Sequence, residues 1–161
     1  MTAEQKAYIA GFLDGDGCVM LQLVWRKDYV LGYQVRASVV FYQKTQHEHH
    51  LRWLKEQLGD GYIRKRGDGM SEYTIVGFAV VQRTLRLLLP HLRLKQKHAE
   101  IALRVIEKTP RQSGRASYTP RLLMELAEDV DRYFTLNYSK KRKNTAAVVR
   151  RFLQARQMVS P

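Results

Sequence analysis

Along residues 18–26 the side chains alternate, with Val19, Leu21, Leu23 and Trp25 on one side and Met20, Gln22, Val24 and Arg26 on the other. That is the period of a half-buried strand. After a turn-prone stretch at 27–32, a second run sets Tyr33, Val35, Ala37, Val39 and Phe41 against Gln34, Arg36, Ser38, Val40 and Tyr42, so the two runs predict a hairpin. Residues 62–66 and 72–76 flank the loop Gly67-Asp68-Gly69-Met70-Ser71 and predict a second hairpin, with Ile63, Tyr73 and Ile75 inward. Helical spacing covers most of the rest. Residues 4–13 form a first helix, broken by Asp14-Gly15-Asp16-Gly17. Thr45 with Glu48 three residues on makes a capping box before Leu51, Leu54 and Leu58, and Gly59 closes that helix. Two more helices, over about 78–89 and 96–108, are stopped by Pro90 and Pro110. Thr119-Pro120 opens another, with Leu122, Leu126, Val130 and Phe134 as its buried stripe, and a last helix follows Asn144. The order predicts an α+β fold: a mixed αββαββα core, one four-stranded antiparallel sheet if both hairpins join, and C-terminal helices.

A length of 161 residues with 45% hydrophobic positions suits a single domain over 1–161 with one sizeable core, and excludes disorder as the main state. The net charge of +13 changes the picture further, because it points to a polyanionic partner, nucleic acid first. Seven of the 28 basic residues follow residue 137 and none of the 15 acids does, so 137–161 is a basic tail. The lone Cys18 excludes a disulfide scaffold and a Cys-rich zinc module. With no signal-like N-terminus and no apolar run of the roughly 18 residues a membrane span requires, a soluble, intracellular protein without a membrane partner is expected.

In the first helix Ala7, Gly11 and Gly15 recur at four-residue steps and leave one face nearly bare, which lets two backbones approach closely. Either a neighbouring helix of the same chain or a second copy fills that face. Asp16 stands at the end of the helix, where the dipole already places negative charge, so a cation is expected beside it. If the bare faces meet across a two-fold axis, two copies of Asp16 come together, and a divalent ion resolves the repulsion. A calcium loop does not fit, since Cys18 and Val19 fall where an oxygen ligand and a glycine are required. His47-Glu48-His49-His50 lacks the second histidine of a metalloprotease helix, Leu51 standing there, and reads as solvated helix histidines.

The decamer Tyr8-Ile9-Ala10-Gly11-Phe12-Leu13-Asp14-Gly15-Asp16-Gly17 resembles the signature of the LAGLIDADG homing endonucleases, in their single-motif homodimeric branch. The likeness continues through Gln43-Lys44-Thr45-Gln46, Gly61-Tyr62-Ile63-Arg64 with Arg66-Gly67, Leu92-Arg93-Leu94-Lys95-Gln96-Lys97, and residues 137–145, in the family's order. A second candidate, Leu126-Ala127-Glu128-Asp129-Val130-Asp131, lacks both glycines and reads as the acidic face of an ordinary helix. The resemblance implies a homodimer through Ala7, Gly11 and Gly15 of the signature helix. It implies that Asp16, with the Gly15 carbonyl, binds Mg²⁺, other divalent ions such as Mn²⁺ serving as well. Asp14 is expected to cap or support the turn. Gln43 and Lys95 match positions that organise water and place a cation near the scissile phosphate. His47 stands where the family is usually basic, and as a cation, a state that depends on pH, it is expected to assist cleavage.

The resemblance also gives the polar side of the strands a use. Gln22, Val24, Arg26, Gln34, Arg36, Ser38, Tyr62, Arg64, Arg66, Glu72 and Thr74 are expected to face the major groove of double-stranded DNA, where Arg suits guanine, Gln suits adenine and apolar groups suit the thymine methyl. Lys140, Lys141, Arg142 and Lys143 match a segment that contacts the phosphate backbone. The expected activity is hydrolysis of both strands of a long near-palindromic site, leaving short 3′ overhangs and promoting intron mobility. An RNA-binding intron maturase on the same scaffold is the alternative; a cleavage-dead regulator is disfavoured because Asp16 is present.

Overall fold

The alternating runs become strands and the apolar stripes become helices in a computed structural model that describes residues 1–110, 118–137 and 141–159. The helices are α1 (Ala3–Asp16), α2 (Glu48–Leu58), α3 (Phe78–Leu88), α4 (Gln96–Lys108), α5 (Pro120–Thr135) and α6 (Ala146–Ala155). The strands are β1 (Gly17–Trp25), β2 (Tyr33–Lys44), β3 (Tyr62–Lys65) and β4 (Met70–Val76). Both hairpins join one sheet in the order β1-β2-β4-β3, with β4 antiparallel to β2 and β3. The expected α+β class and four-stranded sheet are observed. Among the described residues no helix is long and apolar enough to cross a membrane.

The chain packs as two compact units, residues 1–20 with 37–103, and residues 21–36 with 104–161. In the first unit Ile9, Ala10 and Leu13 of α1, Leu51, Leu54 and Leu58 of α2, and Val81, Leu85 and Leu88 of α3 are buried. The alternation of β2 and β4 drives Phe41 and Tyr73 inward as register partners, and Phe12 of α1, Phe41 and Tyr73 stack in series at 6.1 and 5.9 Å. In the second unit Leu123, Leu126, Ala127, Val130 and Tyr133 of α5 face Val149 and Leu153 of α6 in a continuous apolar seam. Phe152 lies edge-on to Tyr33 at 5.3 Å.

Four local expectations are corrected. Helix α1 does not break at Asp14 but runs on through Asp16, after Thr2 and Gln5 close a capping box at its start. Trp25 ends β1 exposed instead of joining the core. The stripe of α5 is Leu123-Leu126-Ala127-Val130-Tyr133, Leu122 and Phe134 being only half-buried, and its Asp129 is buried against Lys108 at 2.6 Å and Arg132 at 2.8 Å instead of lying on an acidic outer face. Thr45 and Glu48 form no capping box, because residues 45–47 turn as a 3-10 helix and α2 starts at Glu48 without a side-chain cap.

Two glycines bracket the step from α2 to β3. Gly59 closes α2 at φ +89 with open space at its Cβ position, whereas Gly61 adopts φ +96 with the Thr74 carbonyl only 2.4 Å from where a Cβ would stand. Gly59→Ala should therefore cost about 1 kcal/mol of left-handed strain. Gly61→Ala adds a clash with backbone and should cost about 2–3 kcal/mol. Urea denaturation of the two variants checks the order, and equal midpoints would refute it.

Candidate functional site

The last turn of α1 sends its two carboxylates in opposite directions. Asp14 is buried and accepts three backbone N–H groups, from Arg93 at 2.7 Å, Leu94 at 3.2 Å and Lys95 at 2.9 Å. The Asp14 carbonyl also accepts from the Lys95 ammonium. The segment leading into α4 is thus clamped onto the end of α1, and Lys95 is delivered there from the far side of the sequence. Asp16 is exposed, and no described residue donates to its carboxylate.

Around the same turn the small residues leave space. A Cβ at Gly11 or Gly15 would meet nothing within 4 Å, and Ala7 is exposed on the same face. Tyr8 and Leu94, exposed at 55% and 75%, stand out as large apolar side chains turned to solvent. Asp16 and the Gly15 carbonyl are hard oxygen donors of the kind Mg²⁺ takes. Among the described residues no three His, Cys, Asp or Glu side chains converge.

Gln43 lies half-buried near the end of β2, opposite Ser71 of β4, and its Oε1 accepts from the Lys44 N–H at 2.9 Å. His47 is exposed at the end of the 3-10 turn, its Nε2 3.1 Å from Gln46 Nε2. No hydrogen bond joins Gln43 or His47 to Asp16 or Lys95 among the described residues. The Cys18 thiol neighbours Lys95; burial pushes it up from its ordinary value, and the ammonium draws it partly back.

On the polar side of the sheet in this unit, the register aligns Tyr42, Glu72 and Arg64 across β2, β4 and β3. Arg64 donates to Glu72 Oε1 through Nε at 3.1 Å, and its Nη2 forms an ion pair with the same oxygen at 2.8 Å. Arg66 pairs with Asp68 at 2.8 Å and lies over the Tyr42 ring at 5.9 Å. Burial first, then Cys18 and Glu72, raise the Tyr42 phenol. Tyr42 was legible as a polar-side residue from the alternation yet was not among the predicted contacts. Tyr62, Arg64 and Arg66 are exposed as expected, but Ser38, Thr74 and Glu72 keep only 6%, 7% and 8% of their surface.

In the second unit Gln22, Arg26, Gln34 and Arg36 are exposed and Val24 is half-buried. Arg26 is held by both oxygens of Asp28, at 2.9 and 2.8 Å, and lies 5.3 Å from the Tyr29 ring centre. Of the basic tail segment, Lys140 lies outside the described residues. Lys141 and Lys143 are exposed. Arg142, expected on phosphate, instead donates to Asp131 at 2.7 Å, covers Phe134 at 4.8 Å and is mostly buried. Asn144, which the sequence did not single out, donates to the Leu23 carbonyl at 2.8 Å.

A model of the LAGLIDADG endonuclease family matches residues 9–104, from the core of α1 into α4. The chain is 43% identical over 148 residues to the DNA endonuclease I-CvuI of Chlorella vulgaris, covering 92% of this chain and 89% of the relative. It belongs to the LAGLIDADG endonuclease family. The DNA endonuclease I-CreI of Chlamydomonas reinhardtii is 36% identical over 92% of this chain and 88% of its own length. Crystal structures of I-CvuI with DNA targets, one in the presence of Mg and one of Ca, match with a TM-score of 0.90 at 41% identity, covering 98% of this chain and 97% of that one. As a LAGLIDADG homing endonuclease, the chain is a hydrolase of DNA phosphodiester bonds.

For this LAGLIDADG chain the geometry divides the basic segment into two lysines whose ammonium groups have no partner among the described residues and one arginine bound within the fold. Replacing Lys141 and Lys143 by Gln should weaken DNA binding to all sequences alike and reduce the slope of log K against log salt by about 1 per lysine. Arg142→Gln should instead lower Tm and leave the slope within error. Filter binding across a salt series with a melting curve for each variant checks this, and an Arg142→Gln slope change as large as a lysine's would contradict it.

Proposed function

We propose that the protein works as a homodimer that cuts both strands of a long, near-palindromic DNA site, with one Asp16 from each copy at the cleavage centre. The observation that carries the reading is Asp16 itself: an exposed carboxylate without a partner among the described residues, at the end of a helix whose Ala7-Gly11-Gly15 face is open to solvent. A helix C-terminus disfavours an anion. A second copy against the bare face brings in the second Asp16, and a divalent cation between them removes the repulsion.

Asp16 and the Gly15 carbonyl hold Mg²⁺ in this reading, with Mn²⁺ as a substitute. When bound, the cation acidifies an attacking water and neutralises charge on the phosphate and the leaving 3′ oxygen. Gln43 orients water through its amide. Lys95, fixed by Asp14, presents a cation to the scissile phosphate, and His47 adds a second where the family is usually basic. On the strands and just beyond their ends, Gln22, Arg26, Gln34, Arg36, Tyr62, Arg64 and Arg66 are exposed and read base edges, while Lys141 and Lys143 engage phosphates. Cleavage leaves short 3′ overhangs. The intact Asp16 and the DNA-bound relatives favour this reading over the RNA-binding alternative.

Incubated with a randomised duplex library and Mg²⁺, the wild-type protein should break one long site. Asp16→Asn, or EDTA, should slow cleavage by roughly a thousandfold, the scale of a lost metal site. Gly11→Leu should shift the sedimentation mass from two chains to one and abolish double-strand breaks. Cleavage that survives in Asp16→Asn, or a wild-type mass of one chain, would overturn the proposal.

A further inference from the structure

Strand β2 gives way to helix α2 across residues 43–47, and both Gln43 and His47 stand on that corner. What holds the corner therefore sets where both side chains point. One tie is backbone: the Thr45 N–H donates to the Gly69 carbonyl at 2.9 Å, joining the corner to the β3–β4 loop. The second is a chain of side chains that ordinary helix capping does not require.

Glu48, the first residue of α2, turns inward and is only 8% exposed. Its Oε2 accepts from the Ser71 hydroxyl at 2.9 Å and its Oε1 from Arg52 at 2.6 Å. Ser71, fully buried, also lies 3.2 Å from Thr45 Oγ1 and is the register partner of Gln43 across β2 and β4. A hydroxyl has one proton, and the carboxylate is the stronger acceptor, so Ser71 gives its proton to Glu48 and takes one from Thr45. The chain Thr45 to Ser71 to Glu48 then runs in a single direction, with Arg52 closing its end. The Ser71 hydrogen bond and Arg52 hold the Glu48 carboxyl below its ordinary value against the burial that raises it, so the acceptor stays ionised at neutral pH.

We propose that Glu48 and Ser71 are positioning residues for DNA cleavage, fixing the corner that carries Gln43 and His47 against β4. Neither touches the reacting atoms. The proposal rests on the nuclease reading of the Asp16 site given above. If it holds, loosening the clasp disturbs the cleavage step, while DNA binding, spread over the strands and the lysines, stays as it was.

The experiment compares wild type, Glu48→Gln, Ser71→Ala, Ser71→Thr and the double variant Glu48→Gln/Ser71→Ala on the duplex that wild type cleaves out of the randomised library. Single-turnover rates at saturating protein with Mg²⁺ should fall at least tenfold in Glu48→Gln and Ser71→Ala. Ser71→Thr, which keeps the hydroxyl, should recover most of the rate. The double variant should be no slower than the slower single variant, because both changes break one chain. The Kd for the same duplex in EDTA should stay within twofold, with each variant folded by its melting curve. If Ser71→Ala does not fold, Glu48→Gln and Ser71→Thr carry the comparison alone. Unchanged rates, or rate losses matched by equal losses in Kd, would overturn the proposal while leaving the nuclease reading intact. A wild type as inert as Asp16→Asn would overturn both.

Discussion

The geometry of the first unit hangs on one buried carboxylate. Three N–H groups from Arg93, Leu94 and Lys95 converge on Asp14, an arrangement in which an anion is matched by the partial positive charge at the start of a helix. That contact ties the end of α1 to the start of α4 across about eighty residues of sequence. It also accounts for the persistence of α1 through Gly15, a residue that alone would favour ending it. With the turn anchored from inside, the next carboxylate two positions on must point elsewhere, and Asp16 emerges into solvent. Removing the anchor would free both the helix end and Lys95, whose ammonium also rests on the Asp14 carbonyl.

The elements themselves could be read from periodicity because each strand is buried on one side and each helix along one stripe. The α4 boundaries match the prediction, and β1, β2 and β4 keep the predicted inner faces from Val19 to Ile75, apart from Trp25 at a strand end. Periodicity fails where an inward position is polar. Glu48 and Asp129 are buried, yet each reads as surface in the sequence, and the donors of buried Asp14 are equally hidden there, because a pattern of apolar positions carries no information about which donor, about twenty or eighty residues away, will satisfy a carboxylate. Glu48 is the instructive case. Its spacing from Thr45 mimics a capping box, but Ser71 reaches both groups first from β4 and the local bond is not made. For the site, Asp16, Gly15, the bare helix face and the supporting role of Asp14 were legible through the signature; the donors that meet Asp14, and the supports Ser71 and Glu48, were visible only once the chain had folded.

A net charge of +13 suggests a surface of free cations, but the arginines and lysines divide that charge between different tasks. Arg26, Arg64 and Arg66 each hold a carboxylate, from Asp28, Glu72 and Asp68, at 2.8 Å. Such exposed pairs contribute little stability, so their effect lies in geometry. A planar guanidinium fixed by one acid keeps its remaining N–H groups in a set direction, and a donor fixed in advance loses less entropy on meeting a base edge than a free one does. Among the described residues Lys141 and Lys143 have no such partner, and a flexible ammonium needs none, since a phosphate offers charge in every direction. Where the sequence puts an acid within reach of an arginine, it therefore sets direction; where it leaves a lysine alone, it sets only attraction.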